Sequence, residues 1–213
     1  MIKILVVDDH ELVRTGISRI LNDVKDFKVV GEVGSGEEAV EYCRKNSPDI
    51  VLMDVSMPGI GGLEATKKVL RFCDGTRVIC VSMHKENPIP IKIMQAGAYG
   101  FLTKDAEYSE MINAIYKVSS GQKYISPEIA QQIAIGQLDV SSESPFDQLS
   151  DRELEITMML TKGVRVIEIA KRLSLSTKTV NTYRYRMFEK LGIGSDVELT
   201  HLALRHKLIQ TSA

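Results

Sequence analysis

The sequence lacks any hydrophobic run long enough to cross a membrane. A membrane-spanning helix needs about 20 consecutive apolar residues, and no stretch of this 213-residue chain approaches that length. The N-terminus also has neither the apolar core nor the small-residue cleavage site of a secretory signal peptide. We therefore expect a cytoplasmic protein that does not enter a membrane.

Cysteine is scarce as well. The chain has three cysteines, Cys43, Cys73 and Cys80, with no C-x-x-C motif and no paired Cys/His spacing. An odd number of isolated cysteines argues against a disulfide framework and against the usual zinc sites. The pattern predicts free thiols in a reducing compartment.

Charge is balanced over the whole chain but unevenly distributed along it. The formal net charge is −1, yet residues 1–149 carry 16 Lys and Arg against 21 Asp and Glu, whereas residues 150–213 carry 11 against 7. The resulting net charges of −5 and +4 indicate two domains with different partners. The composition, 44% hydrophobic and 26% charged, is typical of a globular protein.

The first 120 residues alternate between short apolar runs and helical patterns. Near-continuous apolar runs indicate strands that are buried on both faces, hence a parallel sheet covered by helices. Five such units predict an α/β doubly wound (βα)5 domain over residues 1–121. The predicted strands cover 2–7, 27–33, 50–53, 77–81 and 100–103, and the predicted helices cover 11–23, 36–46, 62–72, 87–97 and 106–120.

The rest of the chain has a different pattern. Residues 122–147 contain a short helical stretch and the Ser-rich segment "QLDVSSESPFDQ", which predicts a linker. Residues 148–213 are helical throughout, so we expect a small all-α domain with helices near 151–162, 166–173, 177–191 and 195–206. Ser150 and Glu153 form an S-x-x-E capping box at the start of the first of these helices.

Polar side chains follow four of the five predicted strands. Asp8 and Asp9 follow the first strand, Asp54 the third, Ser82 the fourth and Lys104 the fifth. Because the carboxyl ends of parallel strands meet at one edge of a sheet, we expect these side chains to lie together. Three neighbouring carboxylates cannot all stay ionised without a cation, and oxygen ligands without a Cys or His cluster favour Mg²⁺.

A hydroxyl and an ammonium opposite such a metal suit a tetrahedral anion, so the site is predicted to handle phosphoryl groups. Asp9 and Asp54 are expected to bind Mg²⁺ directly and Asp8 through water, with a backbone carbonyl near Ser56 as a further ligand. Asp54 is the candidate nucleophile, because a carboxylate can accept a phosphoryl group. The metal and Lys104 would screen charge on the transferring oxygens. The following "MPGIGG" predicts a sharp turn that leaves Asp54 uncrowded.

The basic C-terminal segment has the layout of a helix-turn-helix. A short amphipathic helix over 166–173 is followed by "SLST" and a longer helix from Thr177, and the second helix of such a motif enters the major groove of double-stranded DNA. Four residues at helical spacing are expected to face the core, namely Val180, Tyr183, Met187 and Leu191. The opposite face offers polar and basic groups that suit base edges and phosphates; they are Lys178, Asn181, Thr182, Tyr185 and Arg186.

The motifs "VVDDHE", "DIVLMDVSMPGIGG", "VICVSMH" and "GAYGFLTKD" resemble the receiver domain of two-component response regulators over residues 1–120. The resemblance implies that a sensor histidine kinase or a phosphotransfer domain donates a phosphoryl group to Asp54. It also implies a switch in which Ser82 turns toward the phosphate and Phe101 follows inward. Two positions depart from the family pattern: Asp105 replaces a proline after Lys104, and Phe101 lacks a tyrosine hydroxyl.

The motifs "LSDRELEI" and "VNTYRYRMFEKLGI" resemble the DNA-binding domain of the NarL/LuxR type over residues 147–210. By that resemblance Asn181, Thr182 and Tyr185 read bases, and the last helix forms a homodimer on DNA. Candidates for phosphate contacts are Lys178, Thr179, Arg184, Arg186 and Lys190. Within this type the chain is similar to the GacA/UvrY group, which implies a transcriptional activator.

Two other functions are compatible with parts of the sequence. A metal-dependent phosphatase would use Asp54 as a turnover nucleophile, but such enzymes carry a second acid two residues later, where this chain has Ser56. The other function is that of an interaction module with a degenerate receiver domain. Against it, all five pocket positions are filled. We expect a phosphorylation-dependent DNA-binding regulator that is not an enzyme.

Overall fold

The computed structural model describes residues 1–83, 89–138, 144–206 and 208–209, without the side chains of 135–138 and 151. The chain divides into two compact units, one ending at Ala134 and the other beginning at Ile135. The predicted domain limits at 121/122 and 147/148 stay predictions. The predicted start of the fourth helix at residue 87 lies outside the described residues.

The first unit contains a parallel sheet with strand order β2-β1-β3-β4-β5-β6. This order confirms the α/β doubly wound class, because a strand order that reverses at β1 and β3 places the switch point between them. The strands are β1 Ile2–Val7, β2 Phe27–Val33, β3 Ile50–Asp54, β4 Arg77–Ser82, β5 Gly100–Thr103 and β6 Tyr124–Ile125. The helices are α1 Glu11–Asn22, α2 Gly36–Asn46, α3 Gly61–Phe72, α4 Ile89–Gln95, α5 Tyr108–Ser119 and α6 Pro127–Leu138, which extends past the division.

Strand β6 was not expected, because it falls in the segment predicted as a linker. It pairs with β5, with Gly100 opposite Tyr124 and Phe101 opposite Ile125. The hydroxyl of Ser126 donates a hydrogen bond to Glu110 on α5 at 2.7 Å, which ties the end of β6 to the helix beside it. Two residues are too few to show the alternation that identifies a strand in a sequence.

The central strands of the sheet are buried, as their apolar sequences predict. Residues 4–7 of β1 and all of β3 are buried, and helices α1, α2, α3 and α5 contact these two strands. The register aligns Val7 with Met53, Asp54 with Val81, and Ser82 with Thr103. The carboxyl ends of β1, β3, β4 and β5 therefore meet at one edge.

The second unit contains a 3-10 helix, Pro145–Gln148, and the helices α7 Asp151–Thr161, α8 Val166–Arg172, α9 Thr177–Leu191 and α10 Asp196–Arg205. Ser150 and Glu153 form the predicted capping box of α7. Ser176 and Ser195 cap α9 and α10 by accepting a backbone N–H, and Gly192 ends α9 with a φ of 67°. Among the residues that the structure describes, no helix is both long and apolar enough to cross a membrane.

Candidate functional site

The predicted acidic residues converge with Lys104 at the carboxyl edge of the sheet. The Lys104 ammonium donates hydrogen bonds to Asp8 Oδ2 at 2.8 Å and to Asp54 Oδ2 at 2.6 Å. Asp8 and Asp54 are only 3% and 2% exposed. One lysine therefore bridges two buried carboxylates, one directly after β1 and one at the end of β3.

Burial shifts the pKa values of Asp54 and Lys104 in opposite directions, and the ion pair between them counteracts each shift. Burial raises the pKa of the Asp54 carboxyl, although Lys104 and the Ser56 N–H act against that rise. For Lys104, burial lowers the pKa, but the carboxylates of Asp54 and Asp8 outweigh it and the net direction is upward. An ionised Asp54 is thus poorly solvated, a condition that a bound divalent cation would relieve.

Asp9 and His10 complete the acidic cluster. The His10 Nδ1 atom lies 3.0 Å from Asp9 Oδ1 and 3.2 Å from Asp8 Oδ1, and the His10 N–H donates to Asp8 Oδ1 at 2.8 Å. One ligand atom from each of Asp8, Asp9, His10 and Asp54 lies within 4.8 Å of the others. These donors fit a divalent cation. His10 was not predicted to belong to this cluster, because its membership depends on how its ring is oriented.

The loop after Asp54 packs closely on the end of β3. The Ser56 N–H donates to Asp54 Oδ1 at 3.0 Å, while the metal-ligand role of the Ser56 carbonyl stays a prediction. At Gly62 a Cβ atom would lie 2.0 Å from the Asp54 carbonyl oxygen and 2.7 Å from Val55 Cα. Only glycine fits there, because the start of α3 touches the backbone of Asp54 itself.

Ser82 and Phe101 lie on neighbouring strands beside the pocket. Ser82 ends β4 and is fully buried, and its backbone carbonyl accepts the Lys104 N–H at 2.9 Å. Phe101 is fully buried in β5, opposite Cys80 of β4. The structure therefore places both residues close in the sheet, and their switching roles stay predictions.

Helix α9 presents most of the predicted DNA-contacting residues to solvent. Lys178, Thr182, Tyr185 and Arg186 are exposed, with Tyr185 at 66%. Thr179 and Asn181 are half-buried, and Thr179 also shares a hydrogen bond with the Ser176 hydroxyl.

The opposite face of α9 differs in part from the predicted core. Val180 and Met187 are buried as expected, whereas Tyr183 and Leu191 are half-buried. Phe188 is also buried, although it was not among the predicted core residues. The buried face of α9 is therefore shifted slightly toward Phe188, relative to the predicted face. A second large apolar residue directly after Met187 could have indicated this shift.

Two predicted phosphate contacts are engaged inside the domain. Arg184 makes two hydrogen bonds of 2.7 Å to Asp196 at the start of α10. Lys190 donates to the buried Glu153 at 2.6 Å. Burial raises the pKa of Glu153, but Lys190 and Ser150 outweigh it and hold that pKa below its usual range. The pair therefore stabilises the domain at neutral pH, and this contribution is lost as the pH falls through the pKa of Glu153.

Fold and pocket together define a phosphoacceptor receiver domain joined to a helix-turn-helix domain. A family model described as the response regulator receiver domain matches residues 4–116, and one described as bacterial regulatory proteins of the luxR family matches residues 147–203. The chain belongs to the response regulators with a LuxR-type DNA-binding domain, which regulate transcription through phosphorylation.

Individual relatives show which members of this family the chain is similar to. The chain is 59% identical to the response regulator UvrY of Escherichia coli strain K12, over 98% of this chain and 96% of that protein. It is 54% identical to the response regulator GacA of Pseudomonas protegens, over the full length of both. A solved LuxR-family two-component response regulator from Aurantimonas sp. SI85-9A1 matches with a TM-score of 0.62 and 36% identity, over 64% of this chain and 97% of that chain. The expected similarity to the GacA/UvrY group is confirmed.

Proposed function

We propose that the protein accepts a phosphoryl group on Asp54 from a sensor histidine kinase or a phosphotransfer domain and thereby gains affinity for promoter DNA, as a cytoplasmic activator of transcription. The observation that carries this proposal is the convergence of Asp8, Asp54 and Lys104 in one pocket of a chain that also has an exposed basic recognition helix.

Mg²⁺ would be held by Asp9, Asp54 and the Ser56 carbonyl, with Asp8 acting through water. When bound, the ion supplies positive charge that screens the transferring oxygens. An Asp54 carboxylate oxygen forms a bond to phosphorus as the phosphorus–nitrogen bond of the donor histidine breaks, and the imidazole leaves. Lys104, already hydrogen-bonded to Asp54, then neutralises charge on the phosphoryl oxygens.

The phosphoryl group supports a change in the neighbouring strands. Ser82 turns its hydroxyl toward the phosphate, and Phe101, which is already buried in β5, is held inward, so that the face formed by α4, β5 and α5 repacks. Helix α10 is the proposed dimer contact of the DNA-bound form; its Val197 is 65% exposed.

Among the DNA contacts, Asn181, Thr182 and Tyr185 read bases, while Lys178, Thr179 and Arg186 bind phosphates. Arg184 and Lys190 have carboxylate partners within the domain, so we assign them a stabilising role in place of a direct phosphate contact. This division separates residues that act on DNA from residues that hold the recognition helix.

Replacing Lys178 or Lys190 with alanine should separate these two roles. Lys178→Ala should weaken binding to all DNA sequences and reduce the slope of log affinity against log salt by about one unit, with no change in the unfolding free energy. Lys190→Ala should lower that free energy by about 1 kcal/mol, because buried Glu153 loses its cation. Salt-titrated DNA binding and urea unfolding measure the two effects. Equal losses of stability in both variants would contradict the assignment.

The stoichiometry of labelling distinguishes a regulator from a phosphatase. Treatment with a small phosphodonor and Mg²⁺ should add one phosphoryl group per chain by intact-mass spectrometry. A phosphatase that uses Asp54 as a nucleophile would instead release phosphate steadily from small monoesters. Sustained turnover of monoesters would overturn the proposal that this protein is not an enzyme.

A further inference from the structure

Two adjacent glutamates at the start of α2 have different partners. The Glu38 carboxylate accepts the N–H of Gly34, directly before the N-cap of its own helix, at 2.8 Å. The Glu37 carboxylate instead accepts the N–H of Ile60 at 3.0 Å, 23 positions further along the chain. Glu37 thus connects α2 to the loop that follows the phosphoacceptor strand.

This contact supplies a hydrogen-bond acceptor for the N-terminus of α3, which the N-cap residue of that helix cannot provide. The first N–H groups of a helix have no partner within the helix, and the N-cap of α3 is Ile60, whose side chain cannot accept a hydrogen bond. Glu37 therefore caps α3 from another helix. A carboxylate suits this role, because a charged acceptor makes a stronger bond and the helix N-terminus carries partial positive charge.

The glycines around Glu37 show how close the loop and α2 are. Gly59 has a φ of 77°, and a Cβ atom there would lie 2.4 Å from Glu37 Oε1. A Cβ atom on Gly36 would lie 2.9 Å from Ile60 Cγ1 and 3.0 Å from the Gly61 carbonyl oxygen. The loop thus packs directly on the first turn of α2.

The same loop carries the backbone groups at Asp54. Ser56 donates its N–H to Asp54 Oδ1, while the Val55 N–H bonds to the Val81 carbonyl and the Gly62 N–H to the Val55 carbonyl. The sheet holds the first end of the loop, and Glu37 holds its far end. We propose that Glu37 is a positioning residue for phosphoryl transfer, which keeps Ser56 in place for Asp54 and its metal. This inference rests on the proposed function.

The test compares Glu37→Ala, Glu37→Gln and Glu38→Ala with the unmutated full-length protein. Binding of Mg²⁺ alone is measured by calorimetry, and labelling by a small phosphodonor is measured at low and at saturating Mg²⁺. Glu37→Ala should weaken Mg²⁺ binding about fivefold, the equilibrium change that one ordinary hydrogen bond supplies. Its labelling defect should shrink at saturating Mg²⁺. Glu37→Gln keeps an acceptor oxygen but loses the charge, so its Mg²⁺ affinity should lie between those of Glu37→Ala and the unmutated protein.

Glu38→Ala is the matched control, because it removes an equal charge from the same helical turn and also one local hydrogen bond. Equal Mg²⁺ affinity in Glu37→Ala and Glu38→Ala would overturn the inference. A Glu37→Gln variant as weak as Glu37→Ala would also overturn it, since charge would then matter in place of the hydrogen bond. If the unmutated protein neither binds Mg²⁺ nor is labelled, the proposed function itself fails and this inference with it.

Discussion

Asp54→Ala should abolish phosphoryl labelling and the DNA-binding response that depends on it. With a small phosphodonor and Mg²⁺, the unmutated protein should bind promoter DNA about 5–150-fold more tightly, the usual range of coupling between two sites. The variant should bind equally with and without the donor, because the alanine side chain has no oxygen that could accept the phosphoryl group. Intact-mass spectrometry and DNA titration measure the two effects.

The loss in Asp54→Ala should not come from unfolding. Lys104 keeps Asp8 as a partner at 2.8 Å, and burial already disfavours the ionised form of Asp54, whose pKa is raised. Asp23→Ala is a suitable control, since it removes an exposed carboxylate outside the pocket. A rise in the DNA affinity of Asp54→Ala as large as that of the unmutated protein would disprove phosphorylation-dependent gating through this residue.

Gly62→Ala should destabilise the first unit and disturb the phosphoacceptor at the same time. Its new methyl group would lie 2.0 Å from the Asp54 carbonyl oxygen, which is backbone and cannot rotate away. Overpacking usually costs about 1–3 kcal/mol, and a clash with backbone belongs at or above the upper end of that range. Urea unfolding should therefore show a loss of at least about 3 kcal/mol, together with slower labelling of Asp54.

Gly16→Ala provides the matched glycine control. Gly16 is exposed on α1, and a Cβ atom there would meet nothing within 4 Å. Alanine is the better helix former by about 1 kcal/mol, so this variant should gain stability. If Gly62→Ala were as stable as Gly16→Ala and were labelled normally, the close approach of α3 to Asp54 would not exist in solution.

Much of the pocket was predictable because its residues follow strands that a local pattern identifies. Asp8, Asp54 and Lys104 each stand at the end of an apolar run, and a parallel sheet brings such ends together. His10 and Glu37 were less accessible. His10 needed the orientation of one ring, and Glu37 needed the position of a loop 23 positions away.

The basic residues of α9 also show a contact that a sequence pattern does not predict. Lys178 and Lys190 are equivalent by charge and helix membership, and both were predicted to contact phosphate. Both side chains are exposed, but Lys190 has a buried carboxylate partner 37 positions earlier in the chain. A sequence pattern ranks positions by periodicity and charge, but it does not contain the distance from Lys190 to Glu153.

The sequence by itself determined the two kinds of domain, the doubly wound α/β class of the first and the helix-turn-helix of the second. It also determined which residues could accept and surround a phosphoryl group. These features depend on periodicity of burial and on residues placed at the ends of elements, which are local properties of a chain. Only the tertiary structure decided that Lys104 bridges Asp8 and Asp54, that β6 joins the sheet, that Glu37 caps α3 and that Gly62 touches Asp54. Each of these depends on distances between residues far apart in sequence, which packing sets and no local pattern records.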